Sequence, residues 1–204
     1  MVQAHRFYRN FGLCGGSLWL VLAGAGYLAW ALAMIHSATA MLLLATFVLA
    51  AVALFVSGFR LMFAIRRLPH EPQVRSVQRG LLARFAGIVA AEGIACFLVA
   101  RACLRAHDWK LIVPLILVVV GLHFLPLARL FRVPRYYATG ALFCVIPLIT
   151  ILAVPSSAHV GQAVTWIAFP TIACGVVAMA TAAAGFAEVQ SFLNELNLIS
   201  PLAV

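Results

Sequence analysis

Charge is scarce in this chain and unevenly distributed. Of 204 residues, 5 are acidic and 14 are lysine or arginine, and Lys110 is the single lysine. Each shortage removes a class of function. A lone lysine at a loop edge excludes a retinal Schiff base, which needs a lysine inside a helix. No paired-carboxylate motif, G-x-S-x-G elbow or H-E-x-x-H motif is present, so the common hydrolytic frameworks have no foothold. The 5 cysteines, Cys14, Cys96, Cys103, Cys144 and Cys174, form no C-x-x-C pair and lie in or beside apolar runs. They read as small apolar residues rather than a redox or metal motif. The formal net charge of +9 comes without a basic tail or aromatic-interleaved patch, which argues against nucleic acid.

What is abundant is apolar surface. Hydrophobic residues make up 65% of the chain and charged residues 9%, with a mean hydropathy of +1.09. Soluble domains run near roughly half apolar and a quarter charged, so the solvent for most of this chain is lipid. A crossing needs about 20 apolar residues. Breaks at charges and prolines then define an all-α, polytopic transmembrane bundle of six spanning helices in a single domain, residues 1–204. The predicted helices cover about 12–35, 38–65, 81–104, 111–131, 136–154 and 164–193, with one long polar loop over 66–80. Within that loop Val74, Val77 and Leu81 recur at helical spacing, which suits a short interfacial segment. His5, Arg6 and Arg9 before an apolar run imitate a signal peptide, with Ala38-Thr39-Ala40 as its cleavage site. The apolar stretch over 11–35 is longer than a signal-peptide core of about 7–15 residues, so it is expected to be a first helix.

Orientation follows from arginine and lysine. Arg6, Arg9, Arg60, Arg66, Arg67, Arg75, Arg79, Arg84, Arg129, Arg132 and Arg135 fall on one side, and Arg101, Arg105 and Lys110 on the other. The positive-inside rule then predicts an N-in, C-in protein with a cytoplasmic 66–80 loop. The partners implied are the bilayer and anionic headgroups at its cytoplasmic face, with a homo-oligomer or another membrane protein also open.

Glu92 and His123 are the most informative residues. Each is an ionisable group inside an apolar run, where such groups are costly and by default suggest a functional site. Glu92 lies eight residues after Arg84, and His123 eight residues before Phe131. On antiparallel helices joined by a short loop, both then sit ~12 Å from the same edge. Burial disfavours the charge on each while mutual attraction favours it, so the pair could pass a proton. Three uses are open: a hydrogen bond stapling two helices, a proton or solute pathway, or catalysis.

Other features support or compete with that pair. Pro126, Pro147 and Pro170 interrupt helices, and Pro126 frees the carbonyl of Leu122 beside His123. Gly87, Ala91 and Ala95, like Ala178 and Ala182, recur every four residues and suit close helix packing. Arg60, Arg129 and Glu188 fall within about a turn of the inner boundary, where they either form an ion-pair cluster or snorkel to phosphates. His36, His107 and His159 lie in the three outer loops, with Asp108 beside the second, and make a weak candidate set for zinc. His123 is the one deep histidine, which argues against bis-histidine haem and leaves a mixed-ligand site open. No cofactor is expected.

The stretch Gly121-Leu122-His123-Phe124-Leu125-Pro126-Leu127-Ala128-Arg129-Leu130-Phe131, with Pro134-Arg135-Tyr136-Tyr137-Ala138-Thr139-Gly140 after it, resembles the signature of a family of small six-helix bacterial membrane proteins. The resemblance covers about a tenth of the chain and the expected topology. It implies a bacterial inner-membrane location and a polytopic fold, and it supplies no activity.

Overall fold

The structure, a computed structural model, describes residues 2–66 and 74–199, with side chains described at residues 9–10, 12–65 and 80–195. Six long helices follow in order: α1 (Val2–Ile35), α2 (Ala38–Arg66), α3 (Val74–Arg105), α4 (Ile112–Phe131), α5 (Arg135–Ala153) and α6 (Thr165–Ile199). A 3₁₀ turn at Trp109–Leu111 precedes α4, and a minimal hairpin of β1 (His159–Val160) and β2 (Ala163–Val164) precedes α6. All six helices contain a segment long and apolar enough to cross a membrane. The protein is a multi-pass, all-α membrane protein.

Two helices begin earlier than their apolar runs. α1 starts at Val2 and α3 at Val74, so residues 74–80 of the expected loop are the first turns of a spanning helix. Arginine and glutamine are good helix formers, and the Val74, Val77, Leu81 spacing continues the helix instead of forming a separate segment. Residues 67–73 lie outside the described residues. The hairpin was not anticipated. Its turn places Gly161 at a φ of +61°, and a β-carbon there would stand 2.6 Å from the Ile35 carbonyl oxygen at the end of α1. Only glycine satisfies both constraints.

Lateral order explains where the core sits. α1 packs most extensively against α6, α4 against α5, α2 against α1, and α3 against α4, giving the sequence α2–α1–α6–α5–α4–α3 across the bundle. The interior is therefore built on α1 and α6, with Leu13, Val21, Leu28, Cys174, Ala178, Ala182 and Val189 fully or almost fully buried. Lipid is as apolar as leucine, so burial itself gives little drive and close packing does the work. Gly24 and Gly175 meet at the α1–α6 crossing, where a β-carbon on Gly24 would stand 2.9 Å from the Gly175 carbonyl oxygen. α2 and α3 are the flanking helices. Met41, Leu42 and Leu49 on α2, and Ile94, Phe97 and Leu98 on α3, are exposed, as suits helices that face a bilayer.

Candidate functional site

The site is built in the seam between α3 and α4. On α3, Phe85, Ile88, Glu92, Val99 and Cys103 recur at helical spacing and are buried or half-buried, forming the face turned toward α4. Phe85 and Ile88 pack onto the core, with the Phe85 ring 6.0 Å from that of Phe131. That packing sets the register of the two helices and brings Glu92 opposite His123. The Glu92 Oε2 and His123 Nδ1 atoms are 2.8 Å apart, with the side chains 19% and 11% exposed. His123 also lies nearly parallel to Phe124, ring centroids 5.6 Å apart.

The contact is a close approach rather than an aligned hydrogen bond. Both imidazole nitrogens are buried, and neither has a hydrogen-bond partner of proper geometry among the described residues. The distance defines the pair, and the ring orientation leaves it short of a full hydrogen bond. Tyr27, half-buried on α1, lies within electrostatic range of Glu92.

Beside the pair, toward the end of the bundle that carries Arg84 and Arg129, the seam opens into a groove of about 750 Å³. Gly87, Ala91, Leu125 and Pro126 are among its lining residues. Gly87 and Ala91 of α3 therefore do not pack a partner helix among the described residues, whereas Ala95 is half-buried. Gly87 and Ala91 are exposed, and a β-carbon on Gly87 would meet nothing within 4 Å. Those of α6 do pack, since Ala178 and Ala182 are fully buried. Pro126 lies within α4, exposed on the groove wall, and the adjoining Leu122 is 53% exposed.

The charged end of the bundle has an ion-pair cluster that includes Glu188 and neither Arg60 nor Arg129. Glu188 on α6 takes Arg9 of α1 at 2.7 Å on one carboxylate oxygen and Arg135 of α5 on the other. Arg60 and Arg129 are exposed and make no ion pair among the described residues. Chain separations of 179 and 53 residues are closed by this one carboxylate, and it fixes the start of α1 beside the end of α6.

The outer histidines are not brought together. Among the described residues no group of three or more His, Cys, Asp or Glu could hold a metal ion. His36 and His107 instead occupy left-handed backbone positions, with φ of 50° and 57°, just past the ends of α1 and α3. Histidine is one of the few non-glycine residues enriched there. At His107 the bonds from its own N–H to the Leu104 carbonyl, 3.2 Å, and from the Asp108 N–H to the Cys103 carbonyl, 3.0 Å, complete a Schellman cap. His159 Nδ1 lies 2.7 Å from the Ser157 carbonyl oxygen. Capping and turn closure account for these positions.

Sequence reading missed Tyr27, Arg9 and Arg135 as neighbours of polar groups. Their types gave a signal, since a phenol inside a span and arginines at its edges are all polar. The partners depended on which helices lie side by side. No family model, curated protein or solved structure matches the chain.

Proposed function

We propose that the protein is a small permeation protein of a bacterial cytoplasmic membrane, in which Glu92 and His123 take up and release a proton. The observation that carries this reading is the close but unaligned contact between a half-buried carboxylate and an imidazole with two buried ring nitrogens left without a hydrogen-bond partner among the described residues. A buried polar group without a partner costs about 1–3 kcal/mol. A pair kept only to hold helices together would be more stable with an aligned bond or with apolar side chains. Ring nitrogens left available suit a site where a proton is exchanged. Tyr27 adds a hydroxyl within electrostatic reach.

Loose packing of α3 supports the same reading. Its most apolar stretch contains no buried residue, and among the long helices α4 is its principal neighbour. Pro126, Pro147 and Pro170 each interrupt the hydrogen-bond ladder of their helix, which lowers the cost of bending. The arginine and lysine asymmetry supports cytoplasmic termini, and the resemblance of 121–140 to small bacterial six-helix proteins supports the inner membrane.

A second reading is favoured by one specific fact. Glu92–His123 is the ion pair that joins α3 to α4 among the described residues. It would then be a staple in a structural or regulatory membrane subunit. Proton flux into proteoliposomes under a pH gradient separates the two: the parent conducts and Glu92→Gln does not, with the fold retained. No flux above empty vesicles in the parent excludes the permeation reading.

A further inference from the structure

Arg84 and Arg129 at the charged end of the bundle have no counter-charge among the described residues. Arg84 on α3 and Arg129 on α4 both line the open groove, both are exposed, and neither joins an ion pair among the described residues. They sit near the ends of their spans, Arg84 just inside the start of Gly80–Arg105 and Arg129 just before the end of Trp109–Phe131. Antiparallel packing of α3 and α4 puts both at one boundary of the hydrocarbon. The rest of the wall is apolar and runs inward along Gly87, Ile88, Ala91, Leu125 and Pro126. It stops one residue short of Glu92 in α3 and two past His123 in α4.

We propose that this groove binds a single anionic phospholipid, with its phosphate held between Arg84 and Arg129 and an acyl chain laid along the α3–α4 seam. Charge complementarity selects the headgroup, because guanidinium pairs bind phosphate oxygens through charge-assisted hydrogen bonds. The apolar body selects a lipid over free phosphate. The volume of about 750 Å³ falls in the ordinary range of small-molecule sites, and the groove opens sideways, where the bilayer supplies the ligand. Gly87 and Ala91 gain a role here, since larger side chains would fill the space an acyl chain takes. The bound chain would also cover the near side of the Glu92–His123 pair. The lipid site stands whether that pair conducts protons or only joins helices.

The test titrates the purified full-length protein in neutral detergent with phosphatidylglycerol, phosphatidylcholine and inorganic phosphate. Bound lipid is read by native mass spectrometry and the fold by melting temperature. Phosphatidylglycerol is expected to bind in a 1:1 complex and phosphatidylcholine weakly. Arg84→Gln and Arg129→Gln should each weaken the complex about fivefold. Gly87→Leu should abolish it while preserving the fold, because its side chain enters open space. Arg60→Gln, which removes an exposed arginine outside the groove, should leave binding unchanged. Equal binding of the two lipids overturns the proposal, as does an equal loss in Arg60→Gln, which would mean general attraction to a charged surface. Stabilisation by inorganic phosphate to the same extent, or undiminished lipid binding by Gly87→Leu, also overturns it by removing the acyl chain from the site.

Discussion

Gly121 and Gly140 hold α4 and α5 in contact backbone to backbone. A β-carbon on Gly121 would stand 2.8 Å from the Gly140 carbonyl oxygen, and one on Gly140 would stand 2.6 Å from the Gly121 carbonyl oxygen. Neither distance is tolerable, and the obstructing atoms are backbone, which cannot rotate aside. Gly140→Ala should therefore push the helices apart and cost about 1–3 kcal/mol, as overpacking does. His123, two residues from Gly121, should shift with α4. Gly87→Ala is the matched control, with nothing within 4 Å of its new atom. Thermal unfolding in detergent compares the two. Equal melting temperatures for both variants would show that the crossing is looser than these contacts imply.

The Glu188 cluster leads to a salt-dependent effect. Arg9, Glu188 and Arg135 are 43%, 38% and 24% exposed, so solvent screening keeps the pairs modest. Glu188→Gln should lower stability by about 1 kcal/mol or less, because it leaves two arginines facing each other without the carboxylate. The deficit should change markedly between about 0.1 and 1 M salt, where the screening length falls from about 10 to about 3 Å. A deficit that is large and indifferent to salt would indicate that Glu188 acts through packing.

Depth was legible in this sequence, and azimuth was not. Charges and prolines mark where an apolar helix enters and leaves the membrane, and a fixed rise per residue converts position into height. Counting from Arg84 and from Phe131 therefore set Glu92 and His123 level, and a short connection made their helices neighbours. Which face of each helix turns inward is a different matter. A helix that is apolar all round carries no polar stripe to orient it. Arg9 and Arg135 are as near to Glu188 in height as Arg60 and Arg129 are, and only the lateral order of helices decides between them. The same gap hid the open side of α3, where Gly87 and Ala91 looked like a packing surface. The early starts of α1 and α3 were missed for another reason. Polar residues there end the apolar run without ending the helix.

Topology can be checked from both faces of the protein. Pro134, between α4 and α5, and Ser157, between α5 and α6, are exposed at opposite ends of α5. Single cysteines at these positions, in a background with Cys14, Cys96, Cys103, Cys144 and Cys174 replaced, should report opposite sides. In intact cells an impermeant thiol reagent should label the Ser157→Cys protein and spare the Pro134→Cys protein until the membrane is opened. Reversed labelling would overturn the cytoplasmic placement of the termini.

The Glu92–His123 pair is best judged by a double-mutant cycle run on two readouts at once. Glu92→Gln keeps the shape and the oxygen and removes the charge, and His123→Asn removes the ring while keeping a polar amide. If the contact at 2.8 Å joins α3 to α4, the stability effects of the two changes should be non-additive by about 0.5–3 kcal/mol, the range for residues in direct contact. If the pair also exchanges protons, either change alone should abolish flux in proteoliposomes, and the double variant should be no worse than each single one. Pro126→Ala adds a third arm, because it restores the N–H that can close the ladder to Leu122 beside His123. It should raise or preserve stability and reduce flux, since it stiffens the helix that carries the imidazole. Coupling in stability together with unchanged flux in all variants would leave the pair as a tie between helices. Additive stability together with lost flux would instead mean that the protein keeps this contact for the proton and gains little structural hold from it.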